Sequence, residues 1–385
     1  MSKKISAIPS PAYVLEESKL VRNLERLQYV QQEADVEIIL ALKAFSLWKV
    51  FPLISKYLAG ATASSLNEVL LIANHFKTNP SHSTKAHTYA PAYMPADMDA
   101  IIENSSHITF NSLSQYRLYA KKCNSEVSVG LRVNPEISTV KTDLYNPAAK
   151  GSRLGETSDN LTKFGLPKGI EGLHFHVLCE STSYDLQRVL EVVEERFGAY
   201  LPQLKWLNMG GGHLITRKDY EPEHLIQVLT RFKQKYPNLQ LILEPGSAIA
   251  WETGMLVTSV LDIVHNHGIP TAILDTSFTC HMPDTLEMPY RPNIIGANKT
   301  LIEGKTGYRL GGVSCLAGDY LETYFFDKEL RLGDKVIFQD MLHYTTVKTT
   351  MFNGVQHPYI YLQKTDGNLE ELRAYTFEDY ERRMC

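Results

Sequence analysis

Two short stretches place residues able to do carbonyl chemistry at the ends of apolar runs. Val36-Glu37-Ile38-Ile39-Leu40-Ala41-Leu42 delivers Lys43, and Leu239-Gln240-Leu241-Ile242-Leu243 delivers Glu244, followed by Pro245-Gly246. A lysine at the mouth of a buried strand is poorly hydrated, so its pKa falls and its amine becomes a nucleophile toward carbonyls. A carboxylate at the mouth of another strand suits a protonated ring nitrogen. Together they are what a pyridoxal phosphate site needs. Taken singly, each also fits an ordinary strand-end surface charge.

The residues between them add to this pattern. Gly210-Gly211-Gly212 follows the run Trp206-Leu207-Asn208-Met209. Three successive glycines let backbone N–H groups approach a phosphate without interference from Cβ atoms, although a tight turn is the plainer reading. In His174-Phe175-His176, strand alternation puts both imidazoles on one face. A metal pair is one reading, but no third ligand stands at a telling spacing. A ring stacked on a flat cofactor is another for His176, and a hydrogen-bonded structural role is the plain one for His174.

These residues need a scaffold that gathers strand ends. Helical spacing runs from Ser18 to Gln31, from Trp48 to Tyr57, from Asn67 to Phe76, over 95–104, from Ser114 to Lys122 and over 183–197. Between them fall short strand-like runs: Val36–Leu42, Gly60–Ser64, His87–Ala90, His107–Phe110, Val127–Val133, Ile170–His176, Trp206–Met209 and Gln240–Glu244. Eight strands alternating with helices predict a parallel (β/α)8 TIM barrel over residues 18–254, an α/β fold whose chemistry collects at strand carboxyl ends. Those ends are Lys43, Ser64, His176, the three glycines and Glu244. From 255 onward the runs Leu256–Val260, Lys335–Phe338 and Tyr359–Leu362 are short and turn-bounded. They predict a mainly antiparallel β domain over 255–385, with a helix or two near its end. Residues 1–17 join it, because the strand Pro11–Leu15 has no place in the barrel.

Composition bounds the partners. The chain has 385 residues, a net charge of −4, 44% hydrophobic and 21% charged residues. That balance describes a soluble protein with a sizeable core, and the absence of a basic stripe excludes nucleic acid as the expected partner. No apolar run reaches the about 18 residues of a membrane span, and Met1-Ser2-Lys3-Lys4 lacks the apolar segment of a signal peptide. The five cysteines, Cys123, Cys179, Cys280, Cys315 and Cys385, are scattered without a Cys-x-x-Cys pair. A reducing compartment, the cytoplasm, is therefore expected, with neither a disulfide framework nor a bound metal.

In this order the motifs resemble the fold-type III pyridoxal phosphate decarboxylases, which include ornithine, diaminopimelate and arginine decarboxylases and share the alanine racemase-like fold. The resemblance rests on Ala-Leu-Lys43-Ala, His-Phe-His176, Gly210-Gly-Gly, Glu244-Pro-Gly and Gly311-Gly-Val-Ser-Cys315-Leu-Ala-Gly-Asp319. Lys43-Ala-Phe-Ser, Phe-His176-Val-Leu-Cys-Glu180 and Cys280-His-Met-Pro-Asp284 are most similar to carboxynorspermidine (carboxyspermidine) decarboxylases of polyamine biosynthesis.

The resemblance implies a role for each matched residue. Lys43 joins pyridoxal 5'-phosphate covalently and His176 stacks on its ring. Gly210, Gly211, Gly212 and Tyr344 hold its phosphate, and Glu244 keeps the ring nitrogen protonated. It also implies a homodimer in which Cys315 reaches the partner's site and protonates the α-carbon. Diaminopimelate decarboxylases carry arginine where this chain has Ser247, and an acidic residue where it has Leu316. Both departures argue against a distal carboxylate on the substrate. Glu244, Ser247, Asp275, Asp284 and Asp319 form the expected substrate-facing set, with Glu180 a further acidic candidate for a cationic tail. The rivals are a sibling decarboxylase for diaminopimelate, ornithine or arginine, an amino-acid racemase, and a non-catalytic carrier of the cofactor.

Overall fold

Apolar runs that end on polar or glycine residues become strands whose carboxyl ends line one barrel mouth. The computed structural model describes residues 7–77, 85–140, 145–288 and 290–385, so the segment Met1–Lys4 lies outside the described residues. In chain order the strands are β1 (Ala12–Glu16), β2 (Glu37–Ala41), β3 (Gly60–Ala63), β4 (Ala86–Tyr89), β5 (Ser105–Phe110) and β6 (Ser128–Arg132). β7 (Gly172–His174), β8 (Trp206–Asn208) and β9 (Gln240–Leu243) follow. The chain divides into two compact units, Asn23–Ile249 and the pair of segments Met1–Arg22 and Ala250–Cys385.

In the first unit β2 to β9 pair in parallel and in sequence order, and β9 closes on β2. The expected (β/α)8 barrel is present. Its helices bury one face each. Ser183–Phe197 opens with a reciprocal cap between Thr182 and Asp185 and buries Leu186, Val189, Leu190, Val193 and Phe197. The helix Pro222–Lys235 was not read from the sequence, although Leu225, Val228, Leu229 and Phe232 have the right spacing for one buried face.

Side-chain size sets the barrel interior. Gly130, Gly172 and Trp206 are neighbours in register across β6, β7 and β8. A Cβ on Gly130 would lie 2.2 Å from the Trp206 ring, and one on Gly172 only 1.9 Å. The two glycines therefore make room for one indole, which packs with Ile39 and Ile242 and donates to Ser128 at 2.8 Å. One residue-pair further along the same strands, the interior turns polar with Arg132, His174 and Asn208.

The second unit contains β1, β10 (Gly254–Asn266), β11 (Ile269–Leu274), β12 (Ala297–Asn298), β13 (Thr306–Gly311), β14 (Tyr320–Phe326), β15 (Lys335–Gln339), β16 (Tyr359–Gln363) and β17 (Leu369–Arg373). Their order is β12-β14-β13-β11-β10-β1-β16-β17, with β15 on β10. Only β1·β16 and β11·β13 are parallel, so the sheet is mainly antiparallel, and the strand at Pro11–Leu15 joins it as expected. Ile8, Ala12, Val14, Val257, Ile337 and Tyr361 form its core. β10 runs well past the apolar stretch at 256–260, because a two-residue turn at His267-Gly268, both with positive φ, folds it onto β11. Phe377–Met384 is the terminal helix.

Candidate active site

Register fixes the floor of the barrel mouth. Arg132 on β6 pairs beside His174 on β7, which pairs beside Asn208 on β8, and all three are buried. Glu244, just past β9, meets this row. Its Oε2 is 3.4 Å from His174 Nε2, and its Oε1 accepts from Asn208 Nδ2 at 2.7 Å. Burial alone would raise the Glu244 carboxyl. The contacts with His174 and Asn208 outweigh it, with help from His87, and bring it down to about 2. Glu244 is thus an anion held on a polar floor. His174 itself is kept neutral by burial despite that carboxylate. The Tyr89 ring lies 5.2 Å from the His174 ring, and the Arg132 guanidinium lies 4.6 Å over Tyr89.

Lys43 follows the end of β2 in a turn tied by the Ala44 N–H to Ala41 O. Its side chain is solvent-accessible in the mouth, yet its Nζ lies 3.4 Å from His176 Nε2. Confinement among the strand ends lowers its pKa and the Arg132 charge lowers it further, while Glu244 and Glu68 oppose. Burial, then Lys43 and Arg132, push His176 well below the ordinary imidazole range. His176 is therefore neutral. Its Nδ1 accepts the Gly211 N–H at 3.2 Å, and Arg132 donates to its carbonyl at 3.0 Å. Ser64, at the end of β3, gives its N–H to Glu68 at 2.6 Å.

The three glycines are close-packed. A Cβ at Gly210 would lie 2.6 Å from Phe175 O, at Gly211 2.1 Å from Glu244 O, and at Gly212 1.9 Å from Leu178 O. Their N–H groups differ in use. Gly210 donates to Asn208 Oδ1 at 2.9 Å and Gly211 to His176, whereas Gly212 N–H has no partner among the described residues.

The remaining expected residues are held in local networks. Ser247 begins the helical turn Ser247–Ala250, and Glu180 is exposed with a left-handed backbone. In the second unit Asp275 accepts from Ser10 at 2.5 Å and from the Ser259 N–H at 2.9 Å. Asp284 is paired with Lys348. Asp319 accepts from the Thr279 N–H, and from the N–H and hydroxyl of Ser314 at 3.2 and 2.6 Å. Those bonds shape the loop that presents Cys315, an exposed thiol whose N–H donates to Asn353 Oδ1 at 2.8 Å. Tyr344 sits at φ 55°, a backbone region uncommon for an aromatic residue.

Residues 17–251 match the family described as "Pyridoxal-dependent decarboxylase, pyridoxal binding domain". The chain belongs to the pyridoxal-dependent decarboxylases. Within this family it is 50% identical to a carboxyaminopropylagmatine decarboxylase of Synechocystis, over 99% of this chain and 97% of that one. It is 41% identical to a carboxynorspermidine/carboxyspermidine decarboxylase of Campylobacter jejuni, over 97% and 98%. The crystal structure of carboxynorspermidine decarboxylase complexed with norspermidine, also from Campylobacter jejuni, superposes with a TM-score of 0.89 at 40% identity. It covers 98% of this chain and all of that one. A diaminopimelate decarboxylase structure at 18% identity and TM-score 0.83, covering 100% of this chain and 96% of that one, shares the fold.

The decarboxylase family's cofactor suits the mouth on chemical grounds. An accessible amine with a lowered pKa suits an aldehyde, an ionised carboxylate suits a protonated pyridine nitrogen, and the unpartnered Gly212 N–H suits a phosphate oxygen. Three polar contributors escaped the sequence reading: Arg132, Asn208 and Glu68. The first two had a signal, since each is a polar residue one place before the end of a largely apolar run. Glu68 lies on a helix, and its Ser65-x-x-Glu68 spacing marks only a helix start.

Proposed function

We propose that the chain binds pyridoxal 5'-phosphate and decarboxylates a carboxylated polyamine, carboxynorspermidine or carboxyspermidine, yielding norspermidine or spermidine and CO2. It acts as a cytoplasmic homodimer. The observation that carries the chemistry is the group Lys43, His176 and Glu244 in one barrel mouth, with the amine depressed and the carboxylate ionised.

When bound, the cofactor supplies an electron sink for the pair left on the α-carbon as CO2 departs. Lys43 offers the amine that holds its aldehyde. Glu244 places a fixed negative charge toward the ring nitrogen, and His176 fixes the ring's orientation from one face. The glycine loop and Tyr344 take the phosphate. The substrate loses CO2 and gains one proton at the α-carbon, and Cys315 of the partner protomer delivers it. Ser247, Asp275, Asp284, Asp319 and Glu180 border the substrate. Asp275, Asp284 and Asp319 already have protein partners, so a cationic tail would share or displace these.

The Synechocystis relative favours a second substrate, carboxyaminopropylagmatine, whose tail ends in a guanidinium rather than an ammonium. CO2 release with the two tail types offered together at equal concentration separates the readings. Preference for the ammonium tail supports the proposal, and preference for the guanidinium tail replaces it with the second reading.

A further inference from the structure

Asn208 is a buried amide that the proposed chemistry leaves unused, and it is 3% exposed. Both of its ends are engaged. Its Nδ2 donates to Glu244 Oε1 at 2.7 Å, and its Oδ1 accepts the Gly210 N–H at 2.9 Å. The Glu244 N–H returns to Gly210 O at 2.7 Å, so three hydrogen bonds close a ring through Asn208, Glu244 and Gly210. The amide has one workable orientation. Reversed, it would set its oxygen against the Glu244 carboxylate and its NH2 against an N–H.

We propose that Asn208 is a positioning residue that couples the two ends of the cofactor site, holding the glycine loop and the Glu244 carboxylate at one spacing. The glycine loop is where the phosphate would sit and Glu244 is where the ring nitrogen would sit. A single rigid cofactor must meet both, and the ring of bonds fixes their separation before it arrives. Preorganisation of this kind lowers the ordering cost of binding. This inference rests on the cofactor reading above.

Asn208→Leu removes both bonds and Asn208→Asp removes one. The aspartate still accepts the Gly210 N–H but cannot donate to an ionised Glu244. It places a second carboxylate against the first, so one of the two takes up a proton at a raised pKa. The other charged or titratable groups facing Glu244 are His174, His87, Tyr89, Arg132 and Lys43, and both variants leave them in place.

The test is the rate at which pyridoxal 5'-phosphate leaves the full-length holoenzyme, followed by its visible band across pH 4 to 8.5 (roughly from the upper step of a carboxylate pair to the value of a deeply buried carboxyl). Asn208→Leu should speed release about tenfold to a hundredfold at every pH, the scale of one or two lost buried hydrogen bonds. Asn208→Asp should release slowly at low pH and faster as pH rises. Wild type should show little pH dependence. Wild-type rates in both variants, or an equal pH-independent acceleration in both, would overturn the coupling role. If Asn208→Leu fails to fold, the near-isosteric Asn208→Asp decides alone through its pH dependence. A wild-type chain that forms no visible band with the cofactor would overturn the cofactor reading itself, which is a distinguishable failure.

Discussion

His176 Nδ1 accepts the Gly211 N–H at 3.2 Å while its Nε2 stands 3.4 Å from Lys43 Nζ. A neutral imidazole that accepts at Nδ1 carries its proton on Nε2. That proton points at the lysine, so the favourable partner is an uncharged amine with a free lone pair. The lowered pKa of Lys43 agrees in sign. One hydrogen bond from the glycine loop therefore helps hold the Lys43 amine uncharged.

After burial, Arg132 is the next cause of the lowered Lys43 pKa. Removing its charge in Arg132→Met should raise that pKa, leaving less free amine at neutral pH. The rate of visible-band formation on adding the cofactor should then follow a curve displaced to higher pH. An unshifted curve would show that Arg132 does not tune the amine.

Cys315→Ala should keep the cofactor and its absorbance yet lose turnover by ~10²–10⁴, the usual contribution of a positioned proton donor. The Asn353 and Asp319 bonds that shape its loop use the backbone and Ser314 rather than the thiol, so the fold should be unaffected. Turnover at the wild-type rate would remove Cys315 from the chemistry.

The barrel was legible because each strand is a short apolar run ending on a conspicuous residue: Lys43 after β2, the glycines after β8, Glu244 after β9. The floor beneath them was not. Arg132, His174 and Asn208 come from three runs and become neighbours only when the barrel closes in register. The carboxylates show the same limit. Asp275, Asp284 and Asp319 read in sequence as candidates for a cationic tail, and Ser10, Lys348 and Ser314 engage them, two of these from distant parts of the chain. Spacing reveals which residues can do chemistry, but tertiary pairing decides which are already occupied.

Gly211→Ala tests the packing of the glycine loop. Its Cβ would meet Glu244 O at 2.1 Å, and both are backbone positions that cannot rotate away. A loss of about 1–3 kcal/mol in stability is expected, with faster cofactor release because Glu244 must move. Gly318→Ala, where no atom lies within 4 Å, should stay within about 0.5 kcal/mol of wild type by urea unfolding. Equal stability of the two variants would contradict the packing argument.

Buried neutral histidines should make the protein acid-sensitive. Burial holds His213 at about 4, against roughly 6.5 unfolded. Because the folded value is depressed, its contribution is complete above pH 6.5 and is lost as pH falls through 4. The unfolded chain takes up the proton first, a loss of roughly 3 kcal/mol over that window. His213→Gln cannot take up this proton, so its urea midpoint should fall less steeply between pH 6.5 and 4. An identical slope would show that other groups carry the acid sensitivity.

The central claim is that Lys43 serves a pyridoxal phosphate decarboxylase acting on carboxylated polyamines. CO2 release from carboxynorspermidine, carboxyspermidine and carboxyaminopropylagmatine, by wild type and by Lys43→Ala with saturating cofactor, tests it most directly. Wild type should release CO2 strongly from carboxynorspermidine or carboxyspermidine, and the variant almost none. Undiminished release by Lys43→Ala, or no release by wild type from either carboxynorspermidine or carboxyspermidine, would contradict it.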